Sequence, residues 1–257
     1  MAAPLRDRPL TDVEFERLRL ILSTFRDGSG QVLVRSTGKS MPGFRDFERA
    51  TAVVCGGETA EDKGIFDVLV PTSGWLPYGI SCKMTVVQPA VNSSSFMELS
   101  NSAKKFADEF RRLDIDWTRD PAAAGLATVR LVTSWHRALA GEVDLEGSRF
   151  FVLSHDRQWR TFQVLVFPLD LELADPLREV MWCVEGRASP SSIAGYIDVD
   201  GRRHRLWQLF PNSGGQLKYY PPLGWADWIS PPFRLEQPPV RTLQERAQDY
   251  FPGLWRS

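Results

Sequence analysis

The sequence predicts an α/β fold of the α+β kind: a mixed β-sheet core flanked by helices, with a β-rich second half. Three observations carry that expectation. Capped amphipathic segments of helical period recur up to about residue 140. Two apolar strand-like runs, IFDVLV (65–70) and YGISCKMTVV (78–87), interrupt them. From Phe150 onward the texture is that of strands, and an Asp200-Gly201 pair supplies a hairpin turn. No repeat, low-complexity tract or linker divides the 257 residues. The chain therefore reads as a single domain, 1–257, with an N-terminal helix and loop over 1–41, a core over 42–140 and a β-rich part over 141–257.

Thr11-Asp12-Val13-Glu14 is a capping-box signature, and Phe15, Leu18, Leu22 and Phe25 then share one helical face until Gly28. After a Gly/Ser loop, Pro42-Gly43 opens a second helix, FRDFERATAVV, with Phe44, Phe47, Thr51 and Val54 facing inward and Gly56-Gly57 ending it. The two strands follow, separated by a Pro/Gly/Ser turn. A third helix is expected to about Leu113 with the stripe Phe96, Leu99, Ala103, Phe106 and Phe110, although FMEL equally fits a short strand before it. Ala122 to Ala140, closed by Gly141, is the fourth helix. RFFVLS, TFQVLVFPL, VMWCVEG and the hairpin around Asp200-Gly201 carry the β signal. A loop-rich aromatic stretch and a final helix, RTLQERAQDYF, end the chain.

Hydrophobic residues make up 43% and charged residues 25%, ordinary for a globular protein, and the net charge of −1 argues against a basic coat. The three cysteines, Cys55, Cys82 and Cys183, are widely spaced in apolar surroundings and read as reduced thiols without a CxxC knuckle. The histidines, His136, His155 and His204, lack metal-ligand spacing and read as structural or surface residues. No apolar leader or membrane-length run is present, so a soluble, cytoplasmic protein with no membrane partner is expected. TGKS (37–40) lacks the earlier glycine of a phosphate loop, since Leu33 stands there.

One feature of the strands calls for a partner. A single carboxylate, Asp67, interrupts the first apolar run and a single ammonium, Lys83, the second; an unpaired buried charge costs several kcal/mol. Alternation sets Ser81, Lys83 and Thr85 on one face and Ile80, Cys82, Met84 and Val86 on the other. If the strands pair through their turn, Asp67 and Lys83 converge at one end of the sheet. An internal salt bridge is the plainer explanation; but such pairs add little net stability, and persist more often where a site uses them. Two further acids flank the pair: Glu48, at the margin of the second helix's apolar face, and Glu98, fifteen residues after Lys83, which also fits a capping box begun at Ser95.

Helix, strand with Asp, turn, strand with x-Lys, then helix resembles the core of the PD-(D/E)xK nucleases, which include most type II restriction endonucleases. The resemblance covers roughly residues 44–113. It implies that Asp67 is a Mg²⁺ ligand and that Lys83 positions or deprotonates the attacking water. Phe66 stands in place of the motif's proline, and Ser81 in place of the acid two before the lysine. A group of restriction enzymes cutting CCGG-containing sites has this Ser-x-Lys form, with a Glu supplied from downstream. By that analogy Glu98 is the second metal ligand, with Glu48 its competitor. The Arg-Ser-Asp-Arg run those enzymes use to read bases is absent: MTVVQPAV follows instead. Residues 42–140 would then be a catalytic core using Mg²⁺, which suits a site of two or three acids.

The implied function is site-specific hydrolysis of double-stranded DNA by a homodimer whose two sites cut two strands. Base contacts would come from the second half, where Arg202, Arg203, Arg205, Gln216, Lys218 and Tyr219 are donors and stacking groups of suitable kinds. Lys104 and Lys105 could touch phosphates. Each of these also fits an ordinary solvated surface. The alternatives are a catalytically dead nuclease core that binds DNA or a protein partner, and a repair-type nuclease acting on branched or single-stranded DNA.

Overall fold

The computed structural model describes residues 2–35, 38–59, 64–86, 97–100, 102–169, 180–212, 215–252 and 254. Its architecture is α+β. Helix α1 (Asp12–Thr24) starts on the expected capping box: Thr11 accepts from the Glu14 amide, and Glu14 accepts from the Thr11 amide. Arg8 adds a two-pronged bond to the Glu14 carboxylate at 2.6 and 2.8 Å. A short β1 (Val32–Val34) and β2 (Lys39–Met41) hairpin leads to α2 (Phe44–Cys55). The Asp46 carboxylate accepts the Gly43 and Gln31 amides at the start of α2, and left-handed Gly56 (φ 69°) closes it.

A six-stranded mixed sheet forms the centre, in the order β13-β8-β7-β5-β4-β3. It comprises β3 (Glu58–Thr59), β4 (Val68–Thr72), β5 (Trp75–Val86), β7 (Asp144–His155), β8 (Phe162–Pro168) and β13 (Trp228–Ile229). β5 and β7 run parallel, and the other neighbours are antiparallel. The β5–β7 crossover contains β6 (Met97–Ser100), α3 (Ala103–Arg112) and α4 (Pro121–Arg137). A second, antiparallel sheet has the order β6-β12-β11-β10-β9, with β9 (Met181–Glu185), β10 (Ser192–Val199), β11 (Arg202–Phe210) and β12 (Gln216–Tyr219). The Asp200-Gly201 hairpin turn is as expected, both residues lying at positive φ. Helix α5 (Leu243–Tyr250) follows near the C-terminus. No helix among the described residues is long and apolar enough to cross a membrane.

The two faces of the central sheet bury separate clusters. Val68, Val70, Ile80, Cys82, Phe151 and Leu153 pack towards α1 and α2, whose Leu18, Leu22, Phe47 and Ala50 complete that side. Phe150, Val152, Leu165 and Phe167 pack the other way, against α3, α4 and the inner face of the second sheet. The sequence boundary at residue 141 does not separate two bodies. β7, β8 and β13 from the second half join the central sheet, and β6 from the first half edges the second sheet.

One open local choice is decided and two local expectations change. Of the two readings of FMEL, the described residues 97–99 take the strand: β6 occupies 97–100, pairing with β12, and α3 begins at Ala103, while Phe96 lies outside the described residues. Asp67 is not inside a strand, since β4 begins one residue later. Phe44 shares the α2 stripe with buried Phe47 and Thr51, yet it is 52% exposed. It lines a cavity at the end of the sheet instead.

The Arg8 bond, with the Thr11 cap, holds the Glu14 carboxyl down to about 2, below its ordinary value of 4.5. The folded value is the lower one, so this contribution is complete above about pH 4.5 and is lost as pH falls from there towards 2. Glu14→Gln should therefore lower the melting temperature at pH 7, and the gap from wild type should shrink in melts at pH 3.

Candidate active site

The site arises where the central sheet opens. β4 begins at Val68, opposite Ile80, so on that side β5 has no β4 partner from Ser81 onward. The first amide past the ladder belongs to Cys82. Its hydrogen-bond acceptor is the Asp67 carboxylate, with Oδ2 at 2.7 Å. The Asp67 amide in turn donates to the Ile80 carbonyl at 3.1 Å, which fixes the residue over the strand edge. Ser81 Oγ donates to the same Oδ2 at 3.4 Å, and Lys83 Nζ lies 3.5 Å from it. The expected convergence of Asp67 and Lys83 is thus present, with Ser81 beside them.

Both charged side chains stay partly wet, at 26% for Asp67 and 21% for Lys83. An ion pair at that exposure contributes little to stability. All the hydrogen bonds to the Asp67 carboxylate among the described residues fall on Oδ2. Cys82 beneath the pair is nearly buried; burial first, and the Asp67 charge second, push its thiol well above the ordinary value and keep it protonated. Behind Phe66, the His136 ring meets the Phe66 ring edge-on at 6.5 Å while its Nδ1 bonds the Val132 carbonyl. Burial, and then the nearby Lys83 charge, lower the His136 pKa, so the ring is neutral at physiological pH. His155 and His204 likewise bond backbone carbonyls, in keeping with structural roles.

Asp67 and Lys83 open into a cavity of about 630 Å³. Its far wall is α2, which contributes Phe44, Arg45, Glu48 and Arg49; Phe66, Cys82 and Met84 complete the near wall. Among the described residues, Glu48 is the other acid that lines this cavity. Glu98 is not: it stands on β6, in register with Lys218 of β12, and does not line the cavity. Its neighbour Met97 is 1% exposed in the core, so alternation turns Glu98 to the opposite, outer face of the second sheet. The helix start that would have brought Glu98 beside Asp67 does not exist.

The residues expected to touch DNA are dispersed. Tyr219 is a core residue, 2% exposed and packed on Trp207 at 4.5 Å between ring centroids, so it reads no base. Arg205 is held by Glu185 Oε1 at 2.8 Å and by the Tyr196 hydroxyl at 3.0 Å. Arg203 lies 3.8 Å over the Tyr196 ring. Arg202 is exposed at the hairpin turn, Gln216 is half-buried at the start of β12, and the Lys218 ammonium sits 5.0 Å from the Phe210 ring. On α3, Lys104 and Lys105 are both exposed, and the Lys105 ammonium lies 4.6 Å from the Trp135 ring. None of these lines the Asp67 cavity. Arg45 and Arg49 do, and the sequence signal for them is their i,i+4 spacing around Glu48 on one helix.

Among the described residues, no group of three His, Cys, Asp or Glu side chains gathers as a metal cage. Two carboxylates and a lysine around one cavity do fit Mg²⁺, which takes one or two protein carboxylates and keeps several waters. Asp67 and Glu48 would hold it. No family model, curated protein or solved structure matches this sequence.

The Asp67 carboxylate has a structural duty as well as a chemical one, and the two separate by substitution. Asp67→Ala leaves the Cys82 amide without its acceptor, a loss of about 1 kcal/mol, or roughly 2–4 °C in melting temperature for a chain of this size. Asp67→Asn keeps an amide oxygen for that bond and should melt close to wild type. Thermal denaturation of the two variants checks the difference.

Proposed function

We propose that this protein is a Mg²⁺-dependent nuclease that hydrolyses phosphodiester bonds in DNA. One observation carries the reading: Asp67, Glu48 and Lys83 meet in a single cavity at the point where the central sheet opens. A Mg²⁺ ion there would neutralise charge on the phosphate and lower the pKa of an attacking water. Asp67 and Glu48 would hold it from opposite walls, the strand edge and α2. Lys83 supplies a fixed positive charge where a phosphate would sit, and is poised to orient the water. Ser81, within reach of Oδ2, helps hold the Asp67 carboxylate in one rotamer.

The likeness to the PD-(D/E)xK nucleases rests on Asp67, Ser81 and Lys83, with the second acid drawn from the preceding helix rather than from downstream. Site-specific cutting of duplex DNA by a homodimer, the fuller expectation from the sequence, leans on the second-sheet residues, several of which are engaged within the protein.

Plasmid and oligonucleotide cleavage in Mg²⁺ tests the reading. Asp67→Asn and Glu48→Gln should each abolish cutting while the fold persists, and Lys83→Ala should slow it on the order of a hundredfold or more. Near wild-type cutting by Asp67→Asn or Lys83→Ala would remove the assignment.

A further inference from the structure

The cavity holds more than the catalytic groups need. Phe44, the first residue of α2, leaves half its surface in solvent on the cavity wall. A lone exposed apolar side chain needs no explanation, but this ring has company. The Arg45 guanidinium lies 5.9 Å from its centroid, and Arg45 and Arg49 line the same wall. An aromatic face with cations beside it, next to a phosphate-cleaving centre, is the arrangement by which proteins hold a strand without pairing: a base stacks on the ring and the arginines follow the backbone.

A base inside an intact duplex has both faces covered by its neighbours, so it cannot lie on Phe44. A base in an unpaired strand can. The second sheet points the same way independently. Arg205 is bonded to Glu185 and Tyr196, Arg203 covers the Tyr196 ring, and Tyr219 is core. Those residues would have to break contacts within the protein to read a duplex groove.

We propose that the substrate is an unpaired DNA strand, single-stranded or at a splayed end, gripped by stacking on Phe44 with Arg45 and Arg49 against its phosphates. This rests on the nuclease reading of the Asp67 site. The experiment compares three fluorescein-labelled DNAs of one sequence: a single strand, a blunt duplex and a duplex with unpaired arms. Binding is followed by anisotropy in Ca²⁺, and cutting in Mg²⁺.

The wild-type chain should bind the single strand and the splayed duplex at least about fivefold more tightly than the blunt duplex. Phe44→Ala should erase that preference and Phe44→Trp should retain it, both with an unchanged melting temperature because the ring is exposed. Equal or tighter binding of the blunt duplex overturns the proposal, as does full unpaired-strand affinity in Phe44→Ala. Cutting confined to the blunt duplex also overturns it while leaving the nuclease reading intact. Phe44-dependent binding without cutting of any of the three DNAs supports the strand grip and removes the catalytic reading.

Discussion

The whole site depends on β4 stopping one residue short. Because the ladder between β4 and β5 ends at Val68 and Ile80, the next outward amide on β5, that of Cys82, has no strand partner. A β-sheet amide left without an acceptor is costly, and the chain meets it with a side chain, the Asp67 carboxylate. That one bond fixes Asp67 at the mouth of a cavity, 3.5 Å from Lys83. Had β4 run on through residue 67, the backbone would have filled the gap and Asp67 would be one more strand residue. The opening also leaves room for α2 to show Glu48, Arg45, Arg49 and Phe44 across the cavity.

The pair at the centre was legible in the sequence because it follows from local rules. Alternation along one strand and a short turn to its neighbour are enough to bring Asp67 and Lys83 together, and the α1 capping box and Asp200-Gly201 hairpin are read in the same way. What failed depends on distant partners. The segment around Glu98 has a helix-start pattern and a strand pattern of similar quality. The choice is made by β12, more than a hundred residues away in sequence, whose edge takes up β6. Tyr219 reads as a loop aromatic until β12 pairs with β11 and turns its ring onto Trp207. Helical period sets Phe44 on the stripe of Phe47 and Thr51 and so predicts it buried; that it stays half exposed is a tertiary fact with no local signature.

Taking the second acid of the proposed centre from Glu48 rather than Glu98 changes how that centre would be built. An acid on β6 would tie the site to the second sheet, and movement between the sheets would alter the metal geometry. An acid on α2 keeps every proposed ligand within the layer formed by α2 and the edge of the central sheet, where Phe47, Ala50 and Thr51 pack α2 down. The second sheet then serves chiefly to cover the opposite face. On it, Arg205 and Glu185 pair with each other.

In the proposed centre Asp67 and Glu48, not Glu98, hold the cation. Titration of Mn²⁺ as a spectroscopic stand-in for Mg²⁺, read by electron paramagnetic resonance on the wild-type chain, Glu48→Gln and Glu98→Gln, tests it most directly. Glu98→Gln should bind as wild type, and Glu48→Gln should weaken binding by about tenfold or more. Weakened binding in Glu98→Gln with unchanged binding in Glu48→Gln would contradict it.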